Sequence, residues 1–128
     1  FINNKHNFNS PIPVNLEVLV KSKNIENALK KASLCLNLSQ KPDWIETFGL
    51  TVWESLTQGT PVIVPDIGGP LEIIDDFCGI SCDTRNIDSV IFSINKILSN
   101  FDTYTEFSKS SIKRSLFLKN LNGIPKLN

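Results

Sequence analysis

Hydrophobic positions along the chain fall into short apolar runs separated by segments of helical periodicity. Residues 14–20 alternate apolar and polar side chains and are rich in β-branched residues, which is typical of a strand. Three further short runs predict strands near residues 34–38, 61–64 and 79–82. The run at 61–65 is apolar throughout, so it is predicted to be the central strand of a parallel sheet.

Helical spacing predicts the elements between these strands. A short helix is predicted from Ile25 to Ala32, with Asn24 as its N-cap. A second is predicted over residues 48–58, with Thr47 as the cap and Gly59 as the closing residue. One or two helical turns are expected over residues 71–76.

The last part of the chain predicts two helices in succession. The first begins after the cap Asn86 and carries a stripe at helical spacing, formed by Ile87, Val90, Ile91, Ile94, Ile97 and Leu98. The second runs from Phe101 to about Lys119. Its inward-facing residues are predicted to be Tyr104, Phe107, Ile112 and Leu116.

Strands and helices in this order predict an α/β fold, a Rossmann-like open parallel sheet with helices on both faces. We expect an irregular segment at residues 1–13, the sheet domain at 14–100, and a helix with a tail at 101–128. Ligands of such sheets bind at the carboxyl ends of the strands. The segments just after residues 38, 64 and 82 are therefore the first places to look for a site.

Composition narrows the classes of function. Thirteen basic and thirteen acidic residues give the 128-residue chain a net charge of zero, which argues against a nucleic-acid module. No apolar run approaches the length of a membrane span. No Cys/His cluster of metal-binding type is present, and three cysteines cannot all pair, which favours a reducing, cytoplasmic location. The absence of methionine leads us to expect a piece of a longer chain.

Two acidic residues flank the start of the helix predicted at residues 48–58. Glu46 precedes it and Glu54 lies two turns inside it, separated by seven residues. The N-terminus of a helix offers free N–H groups and a positive dipole end to an anion. Glu54 can accept paired hydrogen bonds from vicinal hydroxyls, although two glutamates beside a helix are also ordinary on a solvated surface.

A Gly-Gly turn follows the next strand. Gly68 and Gly69 serve either as a turn alone or as residues whose missing side chains leave room for a ligand. A helix N-terminus and a Gly-Gly turn at neighbouring strand ends together favour a shared cleft.

The run ETFGLTVWESLTQGTPVIVPDIGGPLEII, residues 46–74, resembles the donor-binding half of the glycogen-synthase-like, family-four retaining glycosyltransferases of GT-B architecture. Their pattern is a glutamate, seven residues, a second glutamate, then Gly-Thr-Pro-Val and a Gly-Gly turn. The resemblance covers about residues 32–98 and implies that the chain is the C-terminal, donor-binding half of such an enzyme. It departs from the family at Thr47 and in a longer loop before Glu46.

The resemblance implies a role toward the donor for two glutamates and one threonine. Glu46 matches the first glutamate and would contact the hydroxyls of the donor sugar near the reacting centre. Glu54 matches the second and would bind the ribose hydroxyls of the nucleotide. Thr51 would lie beside the diphosphate.

The resemblance also implies backbone contacts to the donor. Phe48, Gly49 and Leu50 would offer amides to the sugar and the diphosphate, and Gly68 and Gly69 would line the same cleft. Transfer in this family retains the anomeric configuration and needs no metal ion or other cofactor. The implied donor is a nucleotide diphosphate sugar, and the acceptor, a glycan or another molecule, would bind through a separate N-terminal domain.

Several expectations follow for the chain by itself. Residues 1–13 match no part of the family that carries the Arg and Lys which neutralise the diphosphate, and Lys21, Lys23 and Lys41 cannot be assigned to that role. We expect the 128 residues to bind donor weakly, to transfer no sugar, and to self-associate through apolar surface. No membrane span is expected, and a peripheral membrane location of the full-length enzyme stays open.

Two alternatives stay open at this point. One is a fragment of a GT-B-type nucleotide-sugar epimerase, whose site carries a histidine; this sequence has none after His6. The other is a non-catalytic α/β interaction module, which would not respond to a nucleotide sugar.

Overall fold

The computed structural model of the chain describes residues 14–16, 24–39 and 45–121. The elements in chain order are α1 (Ile25–Lys31), β1 (Cys35–Leu36), α2 (Leu50–Thr57), β2 (Val62–Pro65), α3 (Gly69–Ile73), β3 (Gly79–Cys82), α4 (Ile87–Ile97) and α5 (Phe101–Asn120).

The sheet is parallel, in the order β1-β2-β3, with β2 in the centre. Val62 and Val64 belong to a buried cluster that includes residues of α2 and α3. Ile63 points to the opposite face and is also fully buried, and α4 contacts both β2 and β3. Both faces of the central strand are therefore covered, which confirms the predicted α/β parallel sheet.

The predicted strands agree with the structure best for β2 and β3, and least for the first predicted strand, at residues 14–20. The strands predicted at 61–64 and 79–82 are β2 and β3. The run 34–38 pairs only at Cys35 and Leu36, because it is the edge of the described sheet. Residues 14–16 form an exposed turn and no strand, so the predicted strand at 14–20 does not begin at Val14. Residues 17–23 lie outside the described residues, as do 1–13, 40–44 and 122–128.

Two predicted helix caps are confirmed, whereas the predicted apolar faces of α4 and α5 are only partly buried. The side chains of Asn24 and Asn86 accept hydrogen bonds from the first turns of α1 and α4. On α4, only Val90 and Ile97 of the predicted stripe are buried, since the three short strands are narrower than the stripe. Ile87, Ile91 and Leu98 are exposed.

The inward face of α5 differs from the prediction. Ser111 and Ser115 are its buried residues, whereas Ile112 and Leu116 are exposed and Tyr104 and Phe107 are half-buried. The small side chains let α5 approach α2 and the starts of the strands closely. Small hydroxyl-bearing residues give no apolar periodicity, which is why the pattern of hydrophobic positions pointed to the wrong face.

Helix α5 closes the amino edge of the sheet, the edge at which the strands begin. Ser108 donates a hydrogen bond to the carbonyl of Gly59 at 2.7 Å, just before β2. The hydroxyl of Ser111 donates to the carbonyl of Phe107 in its own helix at 2.9 Å and makes a longer contact of 3.4 Å with the carbonyl of Cys78, just before β3. The opposite, carboxyl edge is left accessible. Across the part of the chain with described coordinates, no helix is long and apolar enough to cross a membrane.

Candidate functional site

A cleft of about 560 Å³ opens at the carboxyl edge of the sheet, where β1 ends and α2 begins. Its volume lies within the range of about 300–1,000 Å³ that is usual for small-molecule sites. Its lining consists of Cys35, Leu36, Asn37, Leu38, Ser39, Glu46 and Thr51. We call this the carboxyl-edge cleft.

The side chain of Glu46 enters this cleft and is held by Asn37. The amide Nδ2 of Asn37 donates a hydrogen bond to Oε2 of Glu46. The carbonyl Oδ1 of Asn37 accepts hydrogen bonds from the backbone N–H of Ser39 at 3.2 Å and from its hydroxyl at 2.7 Å. Asn37 and Glu46 are both half-buried, so part of the carboxylate remains open to a ligand.

The backbone of Glu46 rests on the Gly-Gly turn. Gly69 donates its N–H to the carbonyl of Glu46 at 2.8 Å. A Cβ on Gly68 would lie 2.7 Å from that same carbonyl oxygen, and a Cβ on Gly69 would overlap the backbone of Thr47. The two sequence features, Glu46 and the Gly-Gly turn, are thus in direct contact. The two glycines are needed because the turn and the backbone of residues 46–47 approach each other closely. Neither glycine is among the lining residues of the cleft.

The helix after Glu46 begins later than predicted. Its N-cap is Gly49, in the left-handed conformation at φ 70°, and its first residue is Leu50. The prediction of Thr47 as the cap is therefore wrong, because residues 47 and 48 run as a bend across Gly69 before the helix starts. Within the described residues, no side chain caps this N-terminus. Thr51, in its first turn, faces the carboxyl-edge cleft.

Phe48 and Leu50 lie at this helix start and Glu54 one turn further along α2, and none of the three is a lining residue of the cleft. Phe48 is 42% exposed and Leu50 is 38% exposed. Glu54 lies three residues after Thr51, so the two share one face of α2. Glu54 is partly buried, and this burial raises its pKa. A carboxylate that folding has begun to desolvate is a frequent feature of binding sites.

Asn37 is the site residue that the sequence reading missed. A signal for it exists, since it is a polar residue directly after an apolar strand, at the edge where ligands of such sheets bind. Ser39 follows the same strand two residues later, and its N–H and hydroxyl hold the amide oxygen of Asn37 in place. Among the described residues, no group of three or more His, Cys, Asp or Glu side chains is placed to hold a metal ion.

Comparison with protein families adds an independent finding. Residues 9–114 match the model of the family described as "Glycosyl transferases group 1". The match includes every residue of the carboxyl-edge cleft and the Gly-Gly turn.

Two curated relatives align with most of the chain. An uncharacterised glycosyltransferase of Methanocaldococcus jannaschii is 30% identical over 94 residues, covering 73% of this chain and 24% of that protein. A sucrose synthase of Melioribacter roseus is 35% identical over 99 residues, covering 68% of this chain and 12% of that protein. The alignments therefore span about a quarter and about an eighth of the length of these relatives.

Solved structures show the same fold. The sucrose-phosphate synthase of Thermosynechococcus elongatus superposes with a TM-score of 0.58 at 26% identity, over 68% of this chain and 21% of that chain. Anabaena HepE, solved in complex with UDP, superposes with a TM-score of 0.66 at 15% identity, over 80% of this chain and 31% of that chain. At 15% identity the second likeness shows the fold alone.

Proposed function

The chain belongs to the glycosyl transferases group 1 family, and from this premise we propose that its carboxyl-edge cleft binds the nucleotide diphosphate sugar donor of a retaining glycosyltransferase. The observation that carries the proposal is the meeting, in one cleft, of the uncapped N-terminus of α2 with the carboxylate of Glu46. A helix N-terminus attracts the anionic diphosphate, and a carboxylate accepts hydrogen bonds from sugar hydroxyls.

Uridine diphosphate is the nucleotide to test first. HepE, which shares the fold, was solved in complex with UDP. Two of the relatives act in sucrose chemistry by name, and sucrose contains a glucosyl unit, so UDP-glucose is a reasonable donor probe. The acceptor would be bound by a further domain of the enzyme, as the short coverage of the relatives supports.

Two carboxylates have separate parts in this proposal. Glu46, held by Asn37 in the cleft, accepts hydrogen bonds from the transferred sugar next to the bond that breaks. Glu54, one helical turn beyond Thr51, accepts them from the ribose of the nucleotide. The diphosphate lies between them, at the first turn of α2, close to Thr51 and to the amides of Phe48, Gly49 and Leu50.

We propose further that donor binding needs no metal ion, since the helix N-terminus supplies positive partial charge where the diphosphate lies. An exposed helix terminus contributes only about 0.3–1 kcal/mol, so binding by this chain is expected to be weak, on the order of millimolar. Transfer requires donor and acceptor to be held together, so the chain by itself is expected not to transfer sugar.

The experiment is calorimetric titration of the 128-residue chain with UDP and with UDP-glucose, with and without EDTA. Replacing Glu54 by Ala removes hydrogen bonds to a charged group worth about 1.5–3 kcal/mol each, so the 128-residue chain should bind UDP at least tenfold more weakly, and the intact enzyme tenfold to a few hundredfold more weakly. Replacing Glu46 by Ala should weaken UDP-glucose and leave UDP unchanged. The matched control is Glu106→Ala, an exposed glutamate on α5.

The alternatives predict other results. An interaction module would show no heat and no shift in Tm with either probe. Equal weakening of UDP by Glu54→Ala and Glu106→Ala would remove Glu54 from the site. An epimerase would convert the donor sugar in the full-length enzyme without any acceptor, which thin-layer or mass-spectrometric product analysis would detect.

Location and assembly are the last parts of the proposal. The three cysteines are free, which supports a reducing, cytoplasmic compartment. Ile87 and Phe92 on α4 are 67% and 69% exposed, and Phe101 at the start of α5 is 79% exposed. We expect these exposed apolar side chains to cause weak self-association of the isolated chain, measurable as a concentration-dependent sedimentation coefficient.

A further inference from the structure

We propose that Asn37 is a positioning residue that aims the carboxylate of Glu46 at the donor sugar, an inference that rests on the proposed function. Asn37 lies directly after β1 and donates from Nδ2 to Oε2 of Glu46. Among the described residues no other hydrogen bond reaches the carboxylate, so Oε1 and the remaining lone pair of Oε2 can accept from the ligand. Asn37 therefore decides which face of the carboxylate meets the sugar hydroxyls.

The orientation of the Asn37 amide is determined by its surroundings. A backbone N–H can only donate, so the atom facing the N–H of Ser39 at 3.2 Å must be the carbonyl Oδ1. The hydroxyl of Ser39 donates to the same oxygen at 2.7 Å. A flipped amide would set NH₂ against N–H and a carbonyl oxygen against a carboxylate, which are two repulsive contacts. The only arrangement without repulsion presents Nδ2 to Glu46.

This arrangement is anchored to all three strands of the described sheet. The backbone N–H of Asn37 donates to the carbonyl of Ile63 on β2 at 2.9 Å. The carbonyl of Ser39 accepts from the hydroxyl of Thr84, after β3, at 2.9 Å. The Gly-Gly turn after β2 holds the backbone of Glu46 through Gly69. A carboxylate fixed through its backbone and through its side chain loses little rotamer freedom when a ligand arrives, which favours binding.

Nuclear magnetic resonance tests the contact itself, without any ligand. The side-chain amide protons of Asn37 give a resolvable pair of signals, and the proton donated to a carboxylate is shifted downfield. Replacing Glu46 by Ala should move that proton upfield by several tenths of a part per million or more, whereas Glu106→Ala should leave the pair unchanged. An Asn37 amide that does not respond to Glu46→Ala overturns the proposal.

Titration with UDP and UDP-glucose tests the consequence. Asn37→Leu removes the donor, and Asn37→Asp keeps the shape and the acceptor for Ser39 but turns a carboxylate toward Glu46. We expect both variants to bind UDP like the native chain and UDP-glucose about tenfold more weakly, with Asp at least as impaired as Leu. A purely structural role predicts the reverse order, because Asp is nearly isosteric with Asn, and that order would overturn the proposal.

The two hypotheses fail in different ways. If the native chain binds neither probe, the proposed function is wrong, while the amide signal still decides whether Asn37 holds Glu46. If the native chain binds both probes and Asn37→Leu binds UDP-glucose with unchanged affinity, the positioning role is wrong and the proposed function stands. Ser39→Ala removes the hydroxyl bond to Oδ1 of Asn37 and keeps the bond from the backbone N–H, so it should give a smaller loss in the same direction. It covers the case in which Asn37→Leu does not fold.

Discussion

The two edges of the sheet treat their polar groups in opposite ways. At the amino edge, side chains of α5 donate to backbone carbonyls just before the strands and at the end of α3. Ser108 donates to Gly59, and Ser111, which donates to Phe107 of its own helix, also contacts the carbonyl of Cys78. Arg114 donates to Ile73 at 2.7 Å through Nε and to Glu72 at 3.2 Å through Nη2, so it caps the C-terminus of α3. These hydrogen bonds connect α5 to the rest of the fold.

At the carboxyl edge the polar groups are held in place but remain available. Glu46 keeps one carboxylate oxygen free of Asn37, and α2 starts at Gly49 without a side-chain cap from the described residues. Glu54 has a raised pKa because folding removes part of its solvent. In the chain without a ligand, each of these features makes the folded state less stable than it would be with a hydrogen-bond partner. A bound anion or hydroxyl would supply that partner.

This difference teaches where stability and function separate in the chain. Substitutions at the amino edge should change the free energy of unfolding and leave ligand binding intact. Substitutions of the carboxylates at the carboxyl edge should do the reverse. The Gly-Gly turn is the exception. It holds the backbone of Glu46, so substitutions there should change both the free energy of unfolding and ligand binding.

The largest effect is expected for Gly69→Ala. The added Cβ would overlap the carbonyl of Thr47 and lie 2.6 Å from the backbone N of Phe48, and backbone atoms cannot move aside as a flexible side chain can. We expect the free energy of unfolding to fall by about 3 kcal/mol or more, measured by urea denaturation. Affinity for UDP-glucose should fall with it, because the segment that carries Glu46 is displaced.

Gly59→Ala is the matched control at the amino edge. Gly59 has φ 73°, and a Cβ there would meet the Ile112 side chain at 3.2 Å and Ser108 Oγ at 3.3 Å. Both neighbours are side-chain atoms that can shift, so the cost should be that of the left-handed backbone, about 1–2 kcal/mol. Equal destabilisation by the two substitutions would contradict the claim that the Gly-Gly turn is sterically special.

Arg114→Ala should give the next largest effect, and on stability alone. The substitution removes two charge-assisted hydrogen bonds to the end of α3 and the stacking of the guanidinium on Phe117, at 5.5 Å from the ring centre. We expect a loss of about 1.5–3 kcal/mol in urea denaturation. The neighbouring, exposed Lys113→Ala should change it by less than about 0.5 kcal/mol. Weakened UDP binding in folded Arg114→Ala would break the separation of the two edges.

The sequence predicted the elements of this fold well where apolar periodicity forms them. The buried run of β2 and the capped start of α4 are where the sequence placed them. Glu46 and the Gly-Gly turn were expected at neighbouring strand ends, and the structure brings them into contact. The roles of the individual site residues toward a donor stay predictions.

The features that the sequence did not predict come from contacts between distant segments. Helix α2 starts at Leu50 because residues 47 and 48 cross Gly69, which no local propensity expresses. Helix α5 packs on the neighbouring helix α2 and buries Ser111 and Ser115, whose small side chains carry no apolar signal, while Leu118 packs against the hydrophobic cluster. Asn37 depends on Glu46, nine residues away, and on Ser39 for its orientation.

The smallest effect, and the sharpest test of the carboxyl edge, is expected for Glu54→Gln. Burial raises the pKa of Glu54 above its ordinary value of 4.5, so the folded chain binds this proton more tightly than the unfolded chain does. The stability of the native chain should therefore fall as pH rises from about the ordinary value through the raised pKa, and stay at the lower level above it. Gln has no charge to desolvate and escapes this loss.

At pH 7 the Gln variant should accordingly be slightly more stable than the native chain. The side chain is only partly buried, so solvent screening keeps the difference small, and we expect a rise in Tm of about 1–3 °C. The difference should vanish at a pH below the ordinary value, where both states of the native chain are protonated. In the same variant UDP should bind about tenfold more weakly, because a neutral amide accepts the ribose hydroxyls less strongly than a carboxylate. A Glu54→Gln variant that is less stable than the native chain at pH 7 would show that Glu54 stabilises the fold. Helix α2 would then not follow the separation of stability and binding between the two edges.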